Sequence, residues 1–403
     1  MSTGPVRLVV ATTVPVTAHA LLHGQLRWLA GHGIDVHLVS SPGPLLDRTG
    51  EREGVGTHAI PMARELSPLA DLVALGRWLR LLRRLRPQVV SYGTPKAGLL
   101  AGVAAAVLKV PRRVYVLRGL RYEGTRGVRR RLLRAIERLT CATAHVVVAV
   151  SPSLAATAVG AGVVRAGKVT VVGAGSSNGV DPVRFRPARP AERAAARAAA
   201  GIPADAPVVT FVGRLVPDKG LVCLDAAFAR LRERLPDARL LLVGQPDDPA
   251  DPALRRLRDR PGVHALGFLD EPVQRYAAAD VLCLPTRREG FPNVVLEAAA
   301  CRIPAVTTRA TGAVDSVVDG QTGFVVPVDD PGALAEALER LCADPPLRAR
   351  LGGNARRRAL RDFPPERIWR GLLGAYGVSG GPVPGQGPAP DRAALGRAGA
   401  VPR

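Results

Sequence analysis

The sequence predicts an α/β chain built as two doubly wound parallel-sheet domains in series, and three observations lead there. Short β-branched runs alternate with longer helix-like segments from one end to the other, the pattern of stacked βαβ units. At 403 residues the chain exceeds what one hydrophobic core usually serves. The alternation breaks once, in the Pro- and Arg-rich stretch 182–190, and then restarts.

In the first half the strand-length runs lie at 6–11, 35–40, 88–92, 113–117, 145–150 and 168–172, with helical segments between them. After the break, 191–200 reads as a short Ala/Arg helix, and strands are expected at 207–212, 238–243, 263–266, 281–284 and 305–307. The first domain is therefore expected to span 1–187 and the second 188–361, with a helix near 362–376 packing back onto the first. Two such domains in series make a cleft between them. The segment 378–403 is dense in Gly and Pro without periodic apolar positions, and is expected to be a disordered tail.

Composition, 47% hydrophobic with 22% charged, excludes an intrinsically disordered chain. The formal net charge of +22 would concentrate polyanions. Only Lys96, Lys109, Lys168 and Lys219 are lysines, however; the other basic residues are arginines beside abundant Ala, Gly and Pro, a skew that a GC-rich coding sequence also produces. The five cysteines are scattered without a CxxC pair, which fits free thiols in a reducing cytoplasm better than a disulfide frame or a zinc site. No charged-then-apolar leader opens the chain, and the longest uncharged apolar stretch, 97–108, is too short to span a bilayer. The expectation is a cytoplasmic protein, soluble or peripheral at the inner face of the plasma membrane.

Two basic segments bear on that periphery, RWLRLLRRLR at 77–86 and RGVRRRLLRAIER at 126–138. Both are spaced as amphipathic helices that could dock on anionic lipid headgroups, or could pack their leucines inward and leave the arginines to solvent. Nucleic acid is excluded as a partner, because aromatics make up only 4% of the chain and nothing is interleaved to stack on bases.

The chemistry-bearing residues fall in the second half. A strand ending at Val212 runs into GRLVPDKG at 213–220, where Gly213 lets backbone approach a ligand and Arg214 and Lys219 bring two cations toward one small volume. A pyrophosphate is their natural counter-ion. Later comes EGFPNVVLEA at 289–298, with Pro292 placed as a first-turn proline and the amides of Asn293 and Val294 at a helix start that favours an anion. Glu289 precedes that helix and Glu297 lies about a turn into it, so two carboxylates can reach different hydroxyl groups of one ligand. Alone, the pair would read as a capping carboxylate and a solvated one.

The two motifs together, in this order and spacing, resemble the signature of retaining glycosyltransferases of family 4, which adopt the two-domain GT-B fold. The likeness extends into the first half through ATTVPVT at 11–17, YGTPKAGLLAG at 92–102 and SSNGVDPVRF at 176–185, and is nearest to bacterial members that build capsular and other surface polysaccharides. It covers the chain to about Tyr376. The resemblance implies that Arg214 and Lys219 hold the pyrophosphate of a nucleoside-diphosphate sugar, UDP-linked by expectation. It further implies that Glu297 binds the ribose, that Glu289 contacts the transferred sugar, and that the backbone of Gly290, Phe291, Pro292, Asn293 and Val294 lines sugar and phosphate. It also implies retention of anomeric configuration, no cofactor and no obligatory metal. The absence of any Asp-x-Asp triplet agrees with the last point. The acceptor would be a lipid-linked or cell-surface glycan, with a small soluble natural product as the alternative, and a sugar-nucleotide epimerase or hydrolase as the alternative of another class.

Two departures stand out. Family relatives often carry Gly-Gly after the first strand, where this chain has Thr12-Thr13-Val14-Pro15; and a histidine before glycine where it has Arg118-Gly119. Arg118 could supply a cation to donor or acceptor, or form an ion pair with Glu123. His19, read as opening the first long helix, could touch the acceptor.

Overall fold

In the computed structural model, which describes residues 5–63, 67–269 and 271–378, runs rich in Val and Leu form two all-parallel sheets. The 379–403 part of the expected tail lies outside the described residues. The first sheet contains β1 (Val6–Ala11), β2 (Ile34–Ser40), β3 (Gly56–Ala59), β4 (Val89–Tyr92), β5 (Arg112–Leu117), β6 (Val146–Ala149) and β7 (Val169–Val171), in the order β3-β2-β1-β4-β5-β6-β7. The second contains β8 (Val208–Val212), β9 (Arg239–Val243), β10 (Val263–Gly267), β11 (Val281–Leu284), β12 (Ala305–Thr308) and β13 (Gly323–Val326), in the order β10-β9-β8-β11-β12-β13. In each sheet the chain runs outward in one direction and then returns to the middle to build the other half. The reversal falls between β1 and β4 in the first sheet and between β8 and β11 in the second.

The central strands are covered on both faces, which is why they read as unbroken apolar runs: all five residues of β8 and all four of β11 are buried. Helix Leu221–Arg234 shows how the covering works. Leu224, Ala227, Phe228 and Leu231 recur at helical spacing and are buried, and the helix packs against helix Pro331–Ala343, which buries Leu334, Leu338 and Leu341. Each of these buried leucines and Phe228 contributes about 1.5–3 kcal/mol.

The chain divides into a unit running to Asn178 together with the helix from Pro365, and a second unit, Gly179–Pro364. The sequence reading put the change nine residues later. Segment 179–187 goes with the second unit for physical reasons: the Val180 amide donates to Phe363 O at 3.0 Å, Phe185 meets Tyr276 edge-on at 6.2 Å between centroids, and Arg186 pairs with Glu192 at 2.7 Å. Helix Pro365–Tyr376 sits on the first unit. There Trp369 Nε1 donates to Asn178 Oδ1 at 2.6 Å, Arg112 Nε donates to Ala375 O at 2.8 Å, and the Tyr376 hydroxyl bonds Ser91 Oγ at 3.2 Å.

Two strands were not anticipated, β3 and β13. Both have only four residues, start at a glycine and lie at a sheet edge; β3 (GTHA) has no apolar run and is not buried, and β13 (GFVV) is buried but has only three apolar residues in a row. Of the basic segments, helix Pro68–Leu85 buries Ala74, Trp78, Leu81 and Leu82, whereas helix Gly127–Thr143 buries Glu137, Thr140 and Cys141. The second helix leaves Val128, Leu132 and Leu139 exposed among its arginines. All five cysteines are free and buried.

Candidate active site

Parallel strands send all their outgoing loops to one edge, and in the second unit the loops after β8, β11 and β12 interlock there. Gly220 starts helix Leu221–Arg234 with φ +75°, in the left-handed region, and a Cβ on it would overlap the carbonyl oxygen of Pro285, just past β11. The Arg287 amide donates to Asp218 O at 2.9 Å and Arg288 forms an ion pair with Asp218, closing the same two loops from the other side. The loop after β12 joins through the Glu289 amide, which donates to Thr311 O at 2.9 Å, and through Gly312, at φ +75°, packed on the carbonyl of Gly290. Glycines thus allow three backbones to touch where any side chain would part them.

This framework brings Lys219 and Glu289 together, Nζ against Oε1, although they stand 70 residues apart. Both side chains are mostly buried, 18% and 15% exposed. Arg214, on the same loop as Lys219, turns outward; it is 57% exposed and its Nη1 pairs with Asp247 Oδ2 at 2.5 Å. Gly213 is anchored by its amide, which donates to Val243 O at 2.9 Å.

Phe291 and Pro292 are buried, and the helix starts at Asn293, one residue later than read from the sequence, so Pro292 caps it rather than opening it. The Val295 amide is satisfied by Pro292 O at 3.1 Å. Glu297 lies in the second turn, 16% exposed at its side chain. Its Oε2 accepts a 2.7 Å hydrogen bond from the Tyr276 hydroxyl and lies 3.8 Å from Arg275 Nη1. Burial pushes the Glu297 carboxyl above the ordinary carboxylate range, with Arg275 and Tyr276 pulling it partly back. Burial next to that carboxylate raises the Tyr276 phenol as well, so the phenol remains a donor. Tyr276, Arg275, Asp247 and Asp218 are the partners that sequence reading missed. Their one-residue signals, an isolated Tyr or Asp in a helix or loop, resemble any surface position.

In the first unit, Arg118 follows β5 and donates from Nη1 to Gly93 O at 3.3 Å. His19 lies in the last turn of a seven-residue helix, Pro15–Leu21, and not at the start of a long one. Leu22 closes that helix, and Gly24, at φ +76°, caps the start of the next one at Gln25. The His19 ring is engaged by Thr49 Oγ1 at 3.0 Å, and Arg52 Nη2 donates to its carbonyl at 2.9 Å. Among the described residues no group of three or more His, Cys, Asp or Glu side chains is arranged to hold a metal ion. Nor is any described helix long and apolar enough to cross a membrane.

Comparison with known proteins matches residues 206–344 to the family described as Glycosyl transferases group 1 and residues 20–184 to Glycosyltransferase Family 4. The chain is 34% identical to the capsular polysaccharide biosynthesis glycosyltransferase CapM of Staphylococcus aureus over 361 residues, 88% of this chain and 93% of that one. It is 39% identical to the D-inositol 3-phosphate glycosyltransferase of Saccharomonospora viridis over 215 residues, 50% of this chain and 48% of that relative. Among solved structures, HepE of Anabaena in complex with UDP and glucose superposes with a TM-score of 0.78 at 19% identity, covering 92% of this chain and 99% of the other. With two parallel-sheet Rossmann-like units in the GT-B fold and a full-length relative above 30% identity, this chain belongs to the family 4 glycosyltransferases.

Proposed function

We propose that the chain transfers a sugar, with retention of configuration and without an obligatory metal, from a UDP-linked donor to a lipid-linked or cell-surface glycan during capsular or related polysaccharide assembly. The contact between Lys219 and Glu289 carries this reading, because it puts the one lysine of the second unit and an acid of the later motif at a single point on the ligand-binding edge of the sheet. Before a donor binds, each charge compensates the other. A diphosphate would draw the Lys219 ammonium to its oxygens and free Glu289 to accept hydroxyl groups of the transferred sugar.

Glu297 supports the same reading. Both of its protein contacts are to Oε2, which leaves Oε1 for a ribose hydroxyl. In the transfer, the bond from the anomeric carbon to the donor phosphate breaks while a bond to the acceptor oxygen forms on the same face. The acceptor's proton passes to the departing phosphate oxygen. Lys219, with Arg214 swinging from Asp247, stabilises the negative charge that grows on the leaving diphosphate. The names of CapM and of the inositol phosphate enzyme support a polysaccharide precursor or a phosphorylated acceptor, and the ligands of HepE support UDP. The exposed Val128, Leu132 and Leu139 among the arginines of helix Gly127–Thr143 favour docking on an anionic membrane that presents the acceptor.

The test is a donor panel of UDP-, GDP- and ADP-sugars, with diphosphate release measured with and without a membrane lipid extract. Release from a UDP-sugar only with extract is the expected result. Equal release without any acceptor would overturn the proposal in favour of a hydrolase, and conversion of the donor sugar with no net diphosphate release would overturn it in favour of an epimerase.

A further inference from the structure

A half-buried cation without a counter-ion, its Nε closed off from water, stands at the carboxyl edge of the first sheet. Arg118 directly follows β5; β5 is next to β4, and β4 is next to β1. The loops that begin at Thr12, Gly93 and Arg118 therefore share one edge, at the reversal of strand order where open α/β sheets bind ligands. The guanidinium lies across the backbone of Gly93, and a Cβ on Gly93 would overlap Nη1. Gly93 gives clearance to the arginine.

Around this guanidinium the protein offers little that is negative. Its Nε is buried without a hydrogen-bond partner, and the titratable groups facing it are the phenols of Tyr376 and Tyr115. Neither phenol is a counter-ion, because burial raises both. Their hydroxyls are also committed elsewhere, Tyr115 to Glu137 Oε1 at 2.6 Å and Tyr376 to Ser91 Oγ at 3.2 Å. The hydrogen bond from Nη1 to a carbonyl does nothing for the Nε N–H taken out of water, so the arrangement is unfavourable for folding alone. A second group at the same edge shares the condition: the Thr12 hydroxyl is fully buried and has no partner. Where the family resemblance places a histidine, this chain holds a permanent, fork-shaped cation suited to phosphoryl oxygens.

We propose that Arg118 is an oxyanion-binding residue of the first unit, receiving a phosphoryl group of a substrate on Nε and the adjoining edge of its guanidinium. The group comes either from the donor diphosphate or from a phosphorylated acceptor. The inference rests on the transferase reading, which supplies both substrates, and deepens it by assigning a phosphate contact outside the second unit.

The experiment measures binding of UDP, inorganic pyrophosphate and glucose 1-phosphate by titration calorimetry. It uses the full chain and its Arg118→Met, Arg118→Lys and Lys219→Ala variants. Arg118→Met is expected to weaken at least one probe by about ten- to a hundredfold, with Arg118→Lys recovering part of the loss. Loss confined to UDP and pyrophosphate assigns the donor; loss confined to glucose 1-phosphate assigns the acceptor. Melting without ligand serves as the structural readout, and Arg118→Met is expected to melt at or above the parent temperature, since it removes a buried N–H that has no partner. Binding of all three probes within twofold of the parent overturns the proposal, whichever way the melting temperature moves. UDP binding untouched by Lys219→Ala would count against the donor site of the second unit instead, so the two readings fail separately.

Discussion

Replacing Lys219 with alanine separates its pairing with Glu289 from the phosphate role proposed for it. In the folded chain Lys219 is the counter-ion of Glu289, with both side chains mostly buried at 18% and 15% exposed. Removing one partner of a buried pair costs about 3–5 kcal/mol, largely from the stranded charge, and the residual exposure here brings that down to about 2–3 kcal/mol. Taking the second charge away as well, in Lys219→Ala/Glu289→Gln, should bring stability back to within about 1 kcal/mol of the parent. Turnover should behave differently. Loss of a preorganised cation at the leaving diphosphate lowers the rate by about 10²–10³, or roughly 2.7–4 kcal/mol, and no change at Glu289 restores it. Urea unfolding reads the first quantity and diphosphate release reads the second, with Glu289→Gln alone as the reference for the double variant. A double variant as active as that reference would mean that Lys219 serves only to neutralise Glu289. Near-normal turnover in the single variant would refute the phosphate role directly.

Glu297→Ala should weaken donor binding while changing turnover at saturation little, because ribose lies away from the breaking bond; unchanged donor affinity would remove the ribose assignment. Since burial holds the Glu297 carboxyl above the ordinary range, it takes up its proton at a higher pH than a free glutamate. Donor affinity should therefore fall as pH is lowered, earlier than for an exposed carboxylate, and a flat titration from pH 8 to pH 5 would contradict this. Gly220→Ala forces a Cβ against the Pro285 carbonyl at a φ of +75°, so a loss of about 2–3 kcal/mol, a melting drop of roughly 5–10 °C and weaker donor binding are expected; a neutral result would show that the loops do not lock as described. The Glu137 carboxyl is pushed by burial from 4.5 up to about 7, so the folded state keeps a proton that the unfolded state loses. Stability is then full below pH 4.5, falls by about 3 kcal/mol as pH rises to about 7, and is level beyond. Glu137→Gln, still able to accept from Tyr115, should abolish that slope and be the more stable form at pH 8; superimposable pH–stability curves would disprove it. Sedimentation with anionic vesicles should be reversed by salt and reduced in Leu132→Gln, whose side chain is exposed; equal sedimentation of the variant would argue against membrane docking by this helix.

What could be read from the sequence divides along a physical line. Central strands such as β8 and β11 announce themselves because burial on both faces demands continuous apolar runs. Edge strand β3 does not, because its residues are half-exposed or exposed; β13 is buried throughout, but its three-residue apolar run after Gly323 is too short to stand out. The motif loops were legible to this extent: Lys219 and Glu289, picked out separately, meet at one point, and Glu297 lies mostly buried in the helix that follows. Their partners were not. Asp218, Asp247 and Tyr276 act through contacts across 70, 33 and 21 residues of chain, and nothing local distinguishes them from solvated neighbours.

The glycines explain why the motif residues could be picked out and their geometry could not. Gly220, Gly244 and Gly312 each lie against a carbonyl of another loop, of Pro285, Gly213 and Gly290 respectively, and Gly93 makes room for Arg118. At these positions the determinant is a missing side chain, and a missing side chain has no pattern in one sequence beyond the letter G. The placement of Lys219 beside Glu289 follows from those backbone approaches. Since close-packed backbones do not deform continuously, a single added methyl at Gly220 or Gly312 should move the Lys219–Glu289 contact without touching either residue.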